Sequence, residues 1–223
     1  MFVGDLLCEE VPDLACDGGS LDLVAIARRP GVLSKVAVRA RADGPTPIAV
    51  GIGADHLARV SQRLDGERIE VVVWQRSART YIADALGLGE APPMLLLPAI
   101  GHARVLLGEI DVRGIAGWRG LNVVLASALT GWRIRLEPVA GTAAWQRLRA
   151  AMLARRPVMA TVVGRTERGP RVEVLGLYAV LSGSRHAQRE GLELEVRITR
   201  MDPDEGRIVV SDRLVTRSQL PLI

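Results

Sequence analysis

Apolar and polar residues alternate over residues 21–27 and again over 36–40, and Arg28-Arg29-Pro30-Gly31 between them carries the proline and glycine of a turn. This spacing predicts a pair of strands. A short amphipathic stretch precedes them, and a loop with Asp43-Gly44-Pro45-Thr46-Pro47 follows. After Gly51 and Gly53 the apolar period lengthens to that of a helix, with Leu57, Val60 and Leu64 on one face. Asp65-Gly66 ends that helix, and residues 69–74 read as a strand. The first unit, residues 3–74, thus runs helix, strand, strand, helix, glycine turn, helix, strand.

Residues 77–138 repeat this order. Ser77 is placed to cap a helix through Leu86, residues 94–97 and 103–107 read as strands, and a glycine-bounded helix leads to a strand over 132–136. Both halves end alike: Leu64-Asp65-Gly66-Glu67-Arg68-Ile69 matches Leu129-Thr130-Gly131-Trp132-Arg133-Ile134, which points to an internal duplication. After a plausible hinge at Gly141, a helix over 143–155 is followed by short strands at 158–163, 171–175, 178–181, 192–199 and 207–211. Five short strands of this kind describe a small closed barrel.

The chain has 223 residues and is 48% hydrophobic, enough for real cores and against disorder. Its cations are arginines apart from Lys35, with a net charge of +4 and a pI near 9.8. Arginine matches phosphate and stacks on bases, which fits a nucleic-acid partner, although a GC-rich genome would give the same bias. Aromatic residues make up only 3%, so recognition by many stacked rings is not expected.

The densest chemical signal is Gly117-Trp118-Arg119-Gly120 immediately before an apolar helix that stops at Gly131. Two glycines let the backbone approach a sugar-phosphate chain without a Cβ in the way, and the helix start turns free N–H groups and its positive end toward phosphates. Arg119 adds a charge. Trp118 can stack on a base or sugar, or cover apolar surface. Asn122 can bond a phosphate or base edge, or its own backbone. The corresponding first turn, Gly51-Ile52-Gly53-Ala54, has alanine for its last glycine and Asp55 just beyond, so weaker phosphate contact is expected there.

Residues 5–138 resemble the tandem KH region of the bacterial transcription factor NusA. The likeness is carried by Glu10-Val11-Pro12-Asp13, by the segment from Ala25 through Pro30-Gly31 to Val38, and by the segment from Gly117 to Trp132. Residues 143–213 resemble an S-one repeat, an OB-type barrel, through Ala144-Trp145-Gln146-Arg147-Leu148, the segment from Val172 to Ser184, and the segment from Met201 to Ser211. The resemblance implies an α+β protein: two type II KH domains (1–75 and 76–140), a linker helix (141–156) and an S-one-like barrel (157–223). In NusA the S-one repeat precedes the KH pair and a further N-terminal region contacts RNA polymerase; here the repeat follows and that region is missing. A rearranged relative is implied.

Single-stranded RNA is the expected partner, with RNA polymerase or ribosome components as further candidates. A translation-associated factor and a protein-interaction adaptor are the rival readings. The candidate RNA-binding residues are Gly117, Trp118, Arg119, Gly120 and Asn122 in the second unit and Gly51, Ile52 and Gly53 in the first turn. Arg28, Lys35 and Arg59 are candidate cations on an RNA path, and Arg171 and Tyr178, with His186, are candidates on the barrel face. No enzyme is expected: His56, His102 and His186 lie far apart, and there is no nucleophile elbow or phosphate-binding loop ending in Lys-Ser. Cys8 and Cys16 form no metal-binding pattern, so no metal or cofactor is expected. No apolar run approaches the ~18 residues of a membrane helix, and a soluble cytoplasmic protein is expected.

Overall fold

The longest run of buried positions in any strand, six in a row, begins at Leu33 and marks a strand covered on both faces. The computed structural model describes residues 3–14, 19–41, 52–182 and 189–213. Within it the chain is mixed α/β and divides into two compact units. Met1–Ala91, Leu96–Ala103 and Ile115–Arg135 form the first; Pro92–Leu95, Arg104–Gly114 and Leu136–Ile223 form the second.

In the first unit, β1 (Leu21–Arg29), β2 (Leu33–Ala40) and β3 (Arg68–Val73) form a sheet in the order β1-β2-β3. β1 and β2 are antiparallel, and β2 and β3 are parallel. Helices α1 (Val3–Glu10) and α2 (Ala54–Arg63) bury Leu6, Leu7 and Val60 with Val36 and Val38 of β2 in one cluster. Ala37 lies between those valines and faces the other way, and it too is fully buried. Helices α3 (Ala78–Leu86) and α5 (Leu121–Thr130) pack against each other, and α5 also packs against β1 and β2. Ser77 caps α3 through a bond from the Thr80 N–H, as the sequence predicts, and Gly131 ends α5 in a left-handed conformation.

Residues 94–138 supply β4 (Met94–Leu97), β5 (His102–Leu107), α4 (Glu109–Ala116) and β6 (Arg133–Pro138), with sheet order β4-β5-β6. The described elements of the first half thus recur in order after Ser77, with α4 in addition. The segment ahead of the first glycine turn, 42–51, lies outside the described residues.

The second unit holds a closed barrel of β7 (Val158–Thr166), β8 (Gly169–Val174), β9 (Leu177–Leu181), β10 (Glu193–Asp202) and β11 (Arg207–Ser211) in the order β10-β11-β9-β8-β7. Alternate residues fill it, among them Val162, Val172, Val174, Ala179, Val196 and Ile208. Helix α6 (Ala143–Leu153) is capped by Thr142 and adds Trp145 and Leu148 to that core.

The Asp202-Pro203-Asp204-Glu205 segment forms the hairpin turn between β10 and β11. The Asp202 carboxylate accepts the N–H groups of Asp204 and Glu205. It has a second use that the sequence does not reveal: the carbonyls of Pro203 and Asp204 accept the N–H groups of Glu109 and Ile110 at the start of α4. Gly108 fits against this turn, and a Cβ there would stand 2.4 Å from the Asp204 carbonyl oxygen.

One buried carboxylate ties the first sheet together. Glu67 is fully buried and accepts bonds from Arg28 Nε and Nη2, the Gly31 N–H and Ser34 Oγ, at 2.6 to 3.1 Å. It clamps the β1–β2 turn to the start of β3. Burial pushes the carboxyl up, but the bonds from Arg28, Ser34 and Gly31 outweigh burial and hold it below the usual carboxylate range.

Two expectations follow. Because the folded carboxyl is the stronger acid, its stabilisation is present above the ordinary carboxylate pKa near 4.5 and is lost as pH falls through the lower folded value. Thermal melts of Glu67→Gln should show a loss on the order of 3 kcal/mol at neutral pH and a shallower decline in acid than the parent. Gly108→Ala, which drives a methyl into backbone, should lower the melting temperature far more than Gly114→Ala, where no atom lies within 4 Å.

Candidate nucleic-acid interface

The second glycine turn starts where α4 ends. Gly117 has φ 70° and ψ −177°, Arg119 φ 52° and Gly120 φ 75°, so three of four consecutive residues hold positive φ. The Gly120 N–H closes the turn on the Gly117 carbonyl. The two glycines are needed for different reasons. A Cβ on Gly117 would press on Asn122 Cβ at 3.2 Å, whereas around Gly120 nothing lies within 4 Å, leaving its backbone open to an approaching group. For Arg119 the left-handed conformation costs ~1 kcal/mol.

Trp118 is 67% exposed, and the Arg119 guanidinium lies 4.8 Å from its ring centroid. Stacking keeps both groups at the crest of the turn. No acidic residue stands in the first turn of α5, so its positive end is not neutralised locally.

Asn122 works behind the turn. Its side-chain Nδ2 donates to the Leu86 carbonyl at 3.0 Å and the Ile115 carbonyl at 2.7 Å, tying the start of α5 to the ends of α3 and α4. Both bonds go to carbonyls of other helices, a contact that neither sequence reading named. Tyr81 braces the far end of α5 by donating its hydroxyl to the Leu129 carbonyl, and burial raises its phenol pKa, keeping it a neutral donor.

The first turn has a different backbone. Gly51 lies outside the described residues. Ile52 is half-buried, Gly53 has φ −70° and ψ 158° as the cap of α2, and Ala54 is already helical. No left-handed residue occurs from 52 to 54, and Asp55 places a carboxylate in the first helical turn.

Three cations expected along an RNA path each face a carboxylate. Lys35 is 1% exposed and bonds Glu70 on the neighbouring strand; Arg28 is held by Glu67; Arg59 pairs with Glu10. The sequence hid this because β2 is buried on both faces and its partners come from other elements. Conversely, Arg39 stacks over Trp74 at 5.4 Å, a pair foreseeable only from the parallel register that sets Val38 beside Val73.

On the barrel, the Arg171 guanidinium sits 3.8 Å from the Tyr178 ring centroid, so each is engaged by the other. Glu173 stands opposite Tyr178, and the row continues through Thr161 to Glu193. Those carboxylates oppose phosphate approach. His186 lies outside the described residues. Among the described residues no group of three His, Cys, Asp or Glu could hold a metal, and no helix is long and apolar enough to cross a membrane.

The family pattern described as a NusA-like first KH domain matches residues 1–74. The transcription termination/antitermination protein NusA of Thermus thermophilus is 35% identical over 134 residues, covering 59% of this chain and 34% of the relative. That of Mycobacterium tuberculosis is 32% identical over 139 residues, 61% and 40% respectively, and that of Bacillus subtilis 28% over 130 residues, 57% and 34%. The chain spans about a third to two-fifths of the length of these relatives. Over about 60% of its length the chain is similar to NusA.

Asn122→Ala should lower stability by about 1–3 kcal/mol by leaving two carbonyls unpaired, read as a shift in the denaturant midpoint. Asn122→Asp should be worse than Ala, because its oxygens would face two carbonyl oxygens.

Proposed function

We propose that the chain is a non-catalytic, cytoplasmic, single-stranded RNA-binding factor acting, like the relatives it resembles, in transcription elongation, termination or antitermination. In this reading residues 1–75 and 76–140 are two type II KH domains and residues 157–223 an S-one-like OB barrel. The repeated element order after Ser77 supports the second KH domain, and the strand order β7-β8-β9-β11-β10, closed on β7, supports the OB assignment. RNA polymerase is the protein partner proposed from the names of the relatives.

The observation that carries the reading is the exposed, left-handed Gly117–Gly120 turn at the unneutralised start of α5. Its backbone admits a phosphate at Gly120, Arg119 supplies charge, and Trp118 supplies a flat apolar surface. Gly117, Gly120, Trp118 and Arg119 are thus the RNA-contacting group, with Asn122 holding the turn in place. Ile52 and Gly53 are left as a weaker contact: with no positive φ and with Asp55 adjacent, the first turn offers less to an anion.

Titration of short single-stranded RNA at several salt concentrations tests this. The Trp118→Asp, Arg119→Asp double variant should bind at least roughly ten-fold more weakly, ~1.4 kcal/mol, than wild type. Arg119→Ala alone should reduce the slope of log affinity against log salt by about 0.7. Aspartates at Ile52 and Gly53 should have a smaller effect. Wild-type affinity in the Trp118/Arg119 double variant would overturn the assignment.

A further inference from the structure

Helix α6, the turn after it and strand β7 carry Arg147, Arg149, Arg155, Arg156 and Arg165, while residues 138–166 contain no acidic residue. All five side chains are exposed, and among the described residues none of them has a carboxylate partner. In the first unit Arg28, Lys35, Arg39, Arg59, Arg63 and Arg68 each face an acid, while among the described residues Arg29, Arg76 and Arg79 do not. On the strands of the barrel Glu173 and Glu193 flank Thr161, with Arg171 stacked on Tyr178 beside them. The capping helix, by contrast, carries arginine and no acid.

Helix stabilisation does not account for the arginines. Arg147 and Arg149 lie in mid-helix, outside the reach of the helix ends. Arg155 and Arg156 follow the C-terminus, where a cation gains about 0.3–1 kcal/mol from the dipole. But Arg155 has φ 52°, in a closing turn where its N–H bonds the Met152 carbonyl and the Arg156 N–H bonds the Ala151 carbonyl. Glycine fills that position without strain, and a larger residue gives up ~1 kcal/mol, which cancels the dipole gain. Two of the described arginines hold this left-handed conformation: Arg119 at the proposed RNA turn, and Arg155.

We propose that the exposed arginines of α6 and of the turn after it, Arg147 and Arg149 on either side of Leu148 and Arg155 and Arg156 beyond the helix end, are a second contact for the phosphate backbone of single-stranded RNA, placed on the element that caps the barrel and not on its strand face. The proposal rests on the RNA-binding reading above. From Arg147 to its end the helix runs ~9 Å, and it is held by Trp145 and Leu148 in the barrel core. It offers charge and no exposed ring, since Trp145 is buried, so it binds backbone without choosing bases.

The test uses the full chain, a long oligouridylate and a salt series. The combined Arg147→Gln, Arg149→Gln, Arg155→Gln, Arg156→Gln variant should lose roughly 10- to 100-fold in affinity at low salt and about 2–3 in salt slope, four contacts at ~0.7 each. Arg155→Gly, which relieves the backbone, should keep or raise the melting temperature and still lower the slope by about 0.7. If both variants bind with wild-type affinity and slope while the Trp118/Arg119 double variant is weakened, this proposal fails and the glycine turn stands. If none of the three variants is weakened, the RNA-binding reading fails and takes this proposal with it. A lowered melting temperature for Arg155→Gly with an unchanged slope would assign Arg155 a structural role and count against the proposal.

Discussion

The packing of one short helix constrains the first unit. α5 lies against α3 and against β1 and β2, so a ten-residue helix is covered by elements from both repeats. Its composition explains how. Leu125, Ala126 and Leu129 are buried, and the alanine lets backbones approach closely. Because β2 already packs α1 and α2 through Val36 and Val38, the alternate face with Ala37 has to be covered as well, and a strand buried on both sides results. The position of the Gly117–Gly120 turn follows directly, since it is the start of the helix that the sheet holds. Asn122 and Tyr81 then fix that helix at its two ends through backbone carbonyls.

Electrostatics in the first unit are organised around closure of the sheet. Glu67, itself fully buried, gathers Arg28, Ser34 and the Gly31 N–H, and Lys35 is buried against Glu70. Such groups fix register. β2 and β3 pair in parallel from Leu33 beside Arg68 to Val38 beside Val73, and a slip of one residue would strand Glu67 and Lys35 away from their partners. Exposed pairs such as Arg63 with Glu9 and Glu10 orient α1 and α2 more than they stabilise them. Arginine enrichment alone is therefore a poor guide to a nucleic-acid surface here, because much of it serves internal pairing.

Period and punctuation made the elements legible. Ser77, Gly131, Asp65-Gly66 and the alternating barrel strands each correspond to an observed boundary or core position, because caps, left-handed glycines and period-two burial are local properties. The glycine turn was legible for the same reason. What stayed hidden depends on distant partners. Arg28 and Lys35 look like surface cations until β3 brings Glu67 and Glu70 beside them. The capping of α4 by the carbonyls of Pro203 and Asp204 joins segments nearly a hundred residues apart, and only the glycine at 108 hints that something must pass close.

The two glycine turns show how little sequence separates an open left-handed loop from an ordinary helix cap. Both stand before a helix in the same element order. Replacing the last glycine by Ala54 removes the residue that tolerates positive φ, so the helix starts one position earlier and Gly53 relaxes to an ordinary extended cap. Asp55 then sits in the first helical turn, where its carboxylate occupies the field that would otherwise attract a phosphate. In the second turn each of these choices is reversed, and Arg119 is kept in a conformation that glycine would adopt more readily. A local cost that nothing in the packing requires, at a position exposed beside Trp118, is most simply understood as the consequence of presenting charge to a ligand.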